Sequence, residues 1–241
     1  MIMKPLNQYI KEKLIINKDY RDDKIIVKSF DELRKIIEDR YDKLGPGTKE
    51  NPIDFNDIDI SNLDSFCNDK DEGIFENTNF KYIDISDWNV SNVKSMHRMF
   101  YVCKELESVS DISNWNVSKV TDMSFMFGDC ESFNQDLYSL NVSSVTNMYG
   151  MFYGCENFNQ DLSSWNVSNV EDMGCMFYGC KSFNQDISGL DVSNVTDMRF
   201  MFSSCKSFNQ DISKWNVSNV RYYAYTFYNC PIKEEYKPKF K

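Results

Sequence analysis

The chain has 241 residues and a formal net charge of −10, long enough for one extended domain or two compact ones. The first 50 residues hold 12 Lys and Arg against 10 Asp and Glu, so the acidity lies beyond them. That balance disfavours nucleic acid, whose phosphates need a basic stripe, and anionic membranes. No run approaches the roughly 20 apolar residues that span a bilayer.

The amino terminus, MIMKPLNQYIKEKL, carries charges where a secretory leader needs an unbroken apolar stretch. Without an export signal or lipidation cysteine near the start, the expected location is the cell that makes the chain, or a virus particle. Within residues 1–23, Leu6, Tyr9, Ile10 and Leu14 form an amphipathic stripe after Pro5. It reads as a short helix packed on an adjoining cap, or as a docking tag.

Residues 24–57 read as that cap, a helical module. Ser29 and Glu32 have capping-box spacing, and Phe30, Leu33, Ile36, Ile37, Tyr41 and Leu44 line one face. Gly45 stops the helix, and Gly45-Pro46-Gly47 turns the chain onward.

From residue 58 to 230 the sequence repeats itself. SFNQDLYSLNVSSV (132–145), NFNQDLSSWNVSNV (157–170), SFNQDISGLDVSNV (182–195) and SFNQDISKWNVSNV (207–220) keep one register. Phe100, Phe127, Phe152, Phe177, Phe202 and Phe227 follow at steps of 27 and then 25, and Cys103, Cys130, Cys155, Cys180, Cys205 and Cys230 lie three residues after each. A degenerate repeat holds Phe75, and DISNLDSF (59–66) begins another before the insertion CNDKDEG. A fixed period of this length signals stacked units, each too small to bury its apolar side alone.

Inside a repeat, LxxWxV alternates as a short inward-facing strand would, and VxxMxxMFxxC carries helical spacing. Ser168 and Glu171 have capping-box spacing at the junction. The predicted fold is therefore an α/β solenoid, a right-handed coil like a leucine-rich repeat, with a parallel sheet and about seven turns. Strand spacing of about 4.8 Å would give it a length of roughly 34 Å. Residues 231–241, PIKEEYKPKFK, form a polar closure.

The pattern LxxWxVSxVxxMxxMFxxCxxFNQD resembles the leucine-rich repeats of the BspA-like surface-protein family, closest to its 25-residue Met-Phe/Trp-Asn-Val-Ser variety abundant in mycoplasmas. The resemblance covers residues 58–230 and implies a surface protein or adhesin of unknown function. LNQYIKEKLIINKD resembles short amino-terminal segments of phage proteins, which implies a structural or host-recognition component of a phage particle as an alternative.

Chemistry is thinly represented. Equivalent cysteines on successive repeats form a line rather than a tetrahedron, so no metal is expected, and the thiols read as small core residues. The row Asp84, Asp111, Asp136, Asp161, Asp186 and Asp211 reads as turn-capping carboxylates, with calcium as the sharper alternative. His97 is the only histidine, and no nucleophile elbow or phosphate loop appears. No catalytic residue and no cofactor is expected, and the chain reads as a non-enzyme.

Recognition is expected on residues the core does not use. One set flanks the inward Trp and Val on the strand face: Asp87, Asn89, Asn114, Asn116, Asn141, Ser164, Asn166, Asp191, Lys214 and Asn216. The other lies on the helical return: Arg98, Tyr101, Phe125, Tyr149, Tyr153, Tyr178, Arg199, Phe200, Tyr225 and Tyr228. The expected partner is a protein, or a glycan on the polar face, with no nucleic acid and no membrane span.

Overall fold

The computed structural model describes residues 24–241. The amphipathic or tag-like stripe read in residues 1–23 lies outside them.

The capping helix forms where the sequence places it. Helix α1 spans Phe30–Leu44, with Ser29 in extended backbone accepting from Glu32 N at 3.2 Å. The Glu32 carboxylate reaches back to Lys28 N, at 2.7 Å, one residue further than a capping box requires. Leu33 and Ile37 are buried, and Gly45, at φ +75°, sends its N–H to Tyr41 O. That conformation is the reason for glycine here. Arg40 grips both oxygens of Asp57, at 2.8 and 3.0 Å, and ties α1 to the chain beyond it.

Two small parallel sheets come next. Strand β1 (Ile25–Ile26) pairs with β3 (Ile58–Asp59), and β4 (Tyr82–Asp84) lies between β2 (Ile53–Asp54) and β5 (Ser108–Val109). The only other regular element among the described residues is a 3₁₀ turn at Glu234–Tyr236.

The predicted α/β solenoid of about seven turns is therefore overturned. The described chain has one helix, five strands of two or three residues, and otherwise turns and loops. The LxxWxV segments form no strands, because their amides bond locally. Trp165 N donates to Leu162 O at 3.0 Å, Val170 N to Val167 O at 2.9 Å, and Ser168 N to Asn166 Oδ1 at 3.2 Å. The expected capping box at Ser168 is absent too. Its hydroxyl donates to Asn166 Oδ1, and Glu171 N donates to Thr146 O.

The expected helical returns are successive turns. Met176 N, Tyr178 N and Cys180 N each bond the carbonyl three residues back. The residues between them donate to the next repeat: Met173 to Asp197, Cys175 to Arg199, Phe177 to Met201 and Gly179 to Ser203. Two backbones per repeat, four residues apart, are left-handed, as at Cys175 (φ 56°) and Gly179 (φ 72°), and a helix cannot pass through them. The bridges between repeats fall just before the first Met, running Ser65, Ser95, Asp122, Asn147, Asp172, Asp197 and Tyr222, all parallel.

The core is continuous from Val27 to Ile232. Phe100, Phe127, Phe152, Phe177, Phe202 and Phe227 stack with centroids 5.3–5.9 Å apart. Phe133, Phe158, Phe183 and Phe208 form a second row, 5.9–6.2 Å apart. The constant phrase also satisfies buried backbone. Cys130, Cys155, Cys180 and Cys205 each donate Sγ–H to a phenylalanine carbonyl one repeat earlier, at 2.8–3.0 Å. The indoles do the same: Trp165 Nε1 meets Leu137 O at 3.0 Å and Trp215 Nε1 meets Ile187 O at 3.2 Å. Asparagines pass a bond along the stack, Asn159 N to Asn134 Oδ1 and Asn184 N to Asn159 Oδ1, both 2.9 Å. Each such bond contributes about 0.5–1.5 kcal/mol net, so these repeated donors help hold the register.

Candidate functional site

The two expected faces differ in what their side chains already do. On the first, Asp87, Asn89, Asn114, Asn116, Asn141, Ser164, Asn166, Asp191, Lys214 and Asn216 are all exposed, on turns rather than a strand. Asn89, Asn116, Asn141, Asn166, Asp191 and Asn216 each accept the backbone N–H two residues on, at 3.1–3.2 Å. Ser164 donates to Tyr138 O. This face is largely occupied with holding its own turns.

The aspartate row acts likewise. Asp111, Asp136, Asp161, Asp186 and Asp211 accept from the N–H two residues ahead, at 2.8–3.0 Å. Backbone and side-chain hydrogen bonds from Ser113 and Ser188 hold Asp111 and Asp186 below the usual carboxylate value. The turn-capping reading of this row is the one the geometry supports.

The second face is a connected stripe. Phe125 packs edge-on against Tyr101 (5.4 Å), Tyr149 (5.2 Å) and Tyr153 (6.1 Å), and Tyr153 stacks on Tyr178 at 4.7 Å. Further along, Phe200 stacks on Tyr225 at 5.2 Å and Tyr225 meets Tyr228 edge-on. Arg98 lies 4.1 Å above the Tyr101 ring and Arg199 lies 5.0 Å above Tyr222. Both guanidiniums are fixed, Arg98 by the buried Glu76 carboxylate and Arg199 by Asp197. Arg98, Tyr101, Phe125, Tyr149, Tyr153, Tyr178 and Phe200 are half-buried, while Arg199, Tyr225 and Tyr228 are exposed. The sequence-predicted set thus forms two aromatic groups on one segment type, joined to neither the asparagines nor the aspartate row by any of these contacts.

Glycines of one repeat seat rings of the previous one. A Cβ on Gly150 would lie 2.5 Å from the Phe125 ring, and one on Gly128 or Gly174 would lie 2.9 Å from Tyr101 or Tyr149. The rings lie in fitted slots. Burial raises the Tyr101 and Tyr153 phenols, and a hydrogen bond with Cys175, then burial, raises Tyr149, so all three stay neutral.

Backbone conformation sets this stripe apart. Its first left-handed slot holds Arg98 (φ 54°), Phe125 (52°), Gly150 (60°), Cys175 (56°), Phe200 (58°) and Tyr225 (59°). A non-glycine residue there carries about 1–2 kcal/mol of steric strain. Sequence reading missed this slot. Its signal was the Asp129, Gly154, Gly179 and Asn229 series four residues on, since these types are the ones that tolerate such turns.

The lone histidine was also left without a role. His97 Nδ1 lies 2.6 Å from Ser124 Oγ and Nε2 lies 2.9 Å from Asp71 Oδ1. The trio superficially resembles a hydrolytic triad, but Ser124 is buried and its hydroxyl donates to Asp122 Oδ1 at 2.6 Å. It is neither exposed nor activated by the imidazole. Open grooves among the described residues include one lined by Ser108–Ser113 with the Gln135 turn and one lined by Thr146, Glu171, Thr196 and Arg221. No described helix is long and apolar enough to cross a membrane.

No curated protein and no solved structure matches the chain. One family does, over residues 69–181 and 162–235, which together cover most of the repeats and more than half of the sequence. The chain therefore belongs to the family described as mycoplasma protein of unknown function, DUF285.

Proposed function

We propose that the chain is a non-enzymatic binding protein that engages a protein partner through the aromatic and arginine stripe, Arg98 to Tyr228. One observation carries this reading. Large side chains occupy strained left-handed positions on an accessible face, although glycine fills the same slot at Gly150. Strain of that kind persists where a side chain serves a purpose beyond the local fold. Aromatic residues and arginine are the types that anchor protein interfaces, and here their orientation is fixed by ion pairs and glycine seats before any partner arrives. The asparagine face is the weaker candidate, because its carbonyl oxygens already serve turns. The resemblance of the repeats to BspA-like surface proteins supports an adhesive role for the same stripe.

The test compares quantitative capture of host-cell proteins by three immobilised chains: the native one, Phe200→Ala/Tyr225→Ala/Tyr228→Ala, and Asn116→Ala/Asn166→Ala/Asn216→Ala. Partners lost by the aromatic variant and kept by the asparagine variant support the reading. Identical capture profiles for all three would reject it.

A further inference from the structure

The largest break in the register of the repeats is made by residues 67–73. This insertion folds into a tight loop: Cys67 and Gly73 form an antiparallel bridge, and Asn68 Oδ1 accepts from Lys70 N and Glu72 N. The loop presents Asp71 toward His97 on the following repeat, beside Cys67, which lies off the buried cysteine row. Cys67 Sγ, an Asp71 carboxylate oxygen and a His97 ring nitrogen all lie within 4.8 Å of one another.

The tautomer of the neutral His97 ring is set by its neighbour. Ser124 has a single hydroxyl proton, and at 2.6 Å from Asp122 Oδ1 that proton is directed to the carboxylate. Ser124 Oγ therefore accepts from His97 Nδ1–H, at 2.6 Å. In the neutral ring this leaves a lone pair on Nε2, facing the Asp71 carboxylate at 2.9 Å. Two acceptors at that separation require a proton or a cation between them. A ligating histidine whose second nitrogen donates to a fixed oxygen is the arrangement that orients imidazole toward a metal.

We infer that Cys67, Asp71 and His97 form a binding site for a thiophilic divalent cation, with Zn²⁺ the best fit to one sulfur, one nitrogen and one oxygen donor. Tetrahedral zinc with bonds of about 2.0–2.3 Å places its donors about 3.3–3.7 Å apart. The existing separations, 2.9 Å between His97 and Asp71 and 3.9 Å between Cys67 and Asp71, bracket that range. Arg98 is a cation beside the trio, 3.5 Å from the second Asp71 oxygen, and the Glu76 carboxylate pairs with it at 2.5 Å. A carboxylate and a thiolate then balance the dication. Binding releases the Cys67 thiol proton to solvent, and water completes the fourth position. Entry is open, since the Asp71 side chain is 67% exposed.

The experiment titrates Co²⁺, then Zn²⁺, into the reduced full-length chain, with stoichiometry read from the absorption spectrum. The native chain should take up one Co²⁺ with a thiolate-to-cobalt charge-transfer band that Zn²⁺ displaces. Cys67→Ser should abolish the band, His97→Gln should weaken binding at least tenfold, and Ser124→Ala should weaken it about 10–100-fold through loss of the orienting contact. Cys175→Ser should leave the band unchanged, and circular dichroism checks that each variant folds. No charge-transfer band in the native chain, or one that survives Cys67→Ser, would overturn the assignment.

Discussion

Replacing Tyr225 by asparagine removes a ring of the stripe while keeping the backbone that holds it. Tyr225 sits at φ 59° and is 61% exposed. Asparagine adopts that conformation more readily than a bulky residue, so part of the strain of about 1–2 kcal/mol is relieved. Against this stand two ring contacts, Phe200 stacked at 5.2 Å and Tyr228 edge-on at 5.9 Å. Aromatic pairs contribute about 0.5–1.5 kcal/mol each, and exposed ones lie at the low end. The two effects nearly cancel, so Tyr225→Asn should change stability by less than about 1 kcal/mol. Phe177→Ala is the contrast: its ring is 1% exposed and stacked on both sides, and its loss should cost about 3–5 kcal/mol. Urea unfolding followed by tyrosine and tryptophan fluorescence measures both, and in melting each kcal/mol corresponds to about 2–4 °C. A Tyr225→Asn loss as large as that of Phe177→Ala would show that the ring serves packing, and the argument from strain to recognition would fail.

Trp165→Phe should destabilise by about 0.5–1.5 kcal/mol in urea titration, because Leu137 O keeps its bond from Leu140 N but loses the indole donor. Gly73→Ala should be severe, since its Cβ would meet Arg98 O at 1.8 Å, whereas Gly189→Ala, with nothing within 4 Å, should gain about 0.4–1 kcal/mol; equal melting shifts would contradict the contact. Asp111 and Asp186 titrate lower in the folded chain, so their contribution is present above the unfolded value near about 3.9 and is lost as pH falls through the folded one. Stability measured across the acid range should therefore decline below about pH 4, and Asp111→Asn/Asp186→Asn should flatten that decline.

The capping helix, the period, the buried Phe, Met and Cys positions and the turn-capping aspartates were legible because each is a local rule repeated many times. Ser29 before Glu32, or Asp186 before Ser188, decides its own turn without help from distant residues. The secondary structure within the repeat was not legible. Spacings of three and four arise equally from a helix and from consecutive turns whose alternate amides bond to the next repeat. Trp165 and Val167 face inward as a strand would place them, yet the Asn166 side chain captures Ser168 N and closes the segment into a turn. The convergence of Cys67, Asp71 and His97 depends on a one-time insertion, which no periodic argument reaches.

The central claim is that amides in the Met-Phe segments fasten each repeat to the next although they belong to neither helix nor sheet. Met148, Gly150, Phe152 and Gly154 donate to Asp172, Gly174, Met176 and Tyr178 at 2.7–3.0 Å. Residue-resolved amide hydrogen exchange tests this directly. Those four amides should exchange only through global unfolding, while Ser163 and Ser188, bonded to exposed carboxylates, exchange far faster. Exchange of the four at the rate of the two serines would contradict the account.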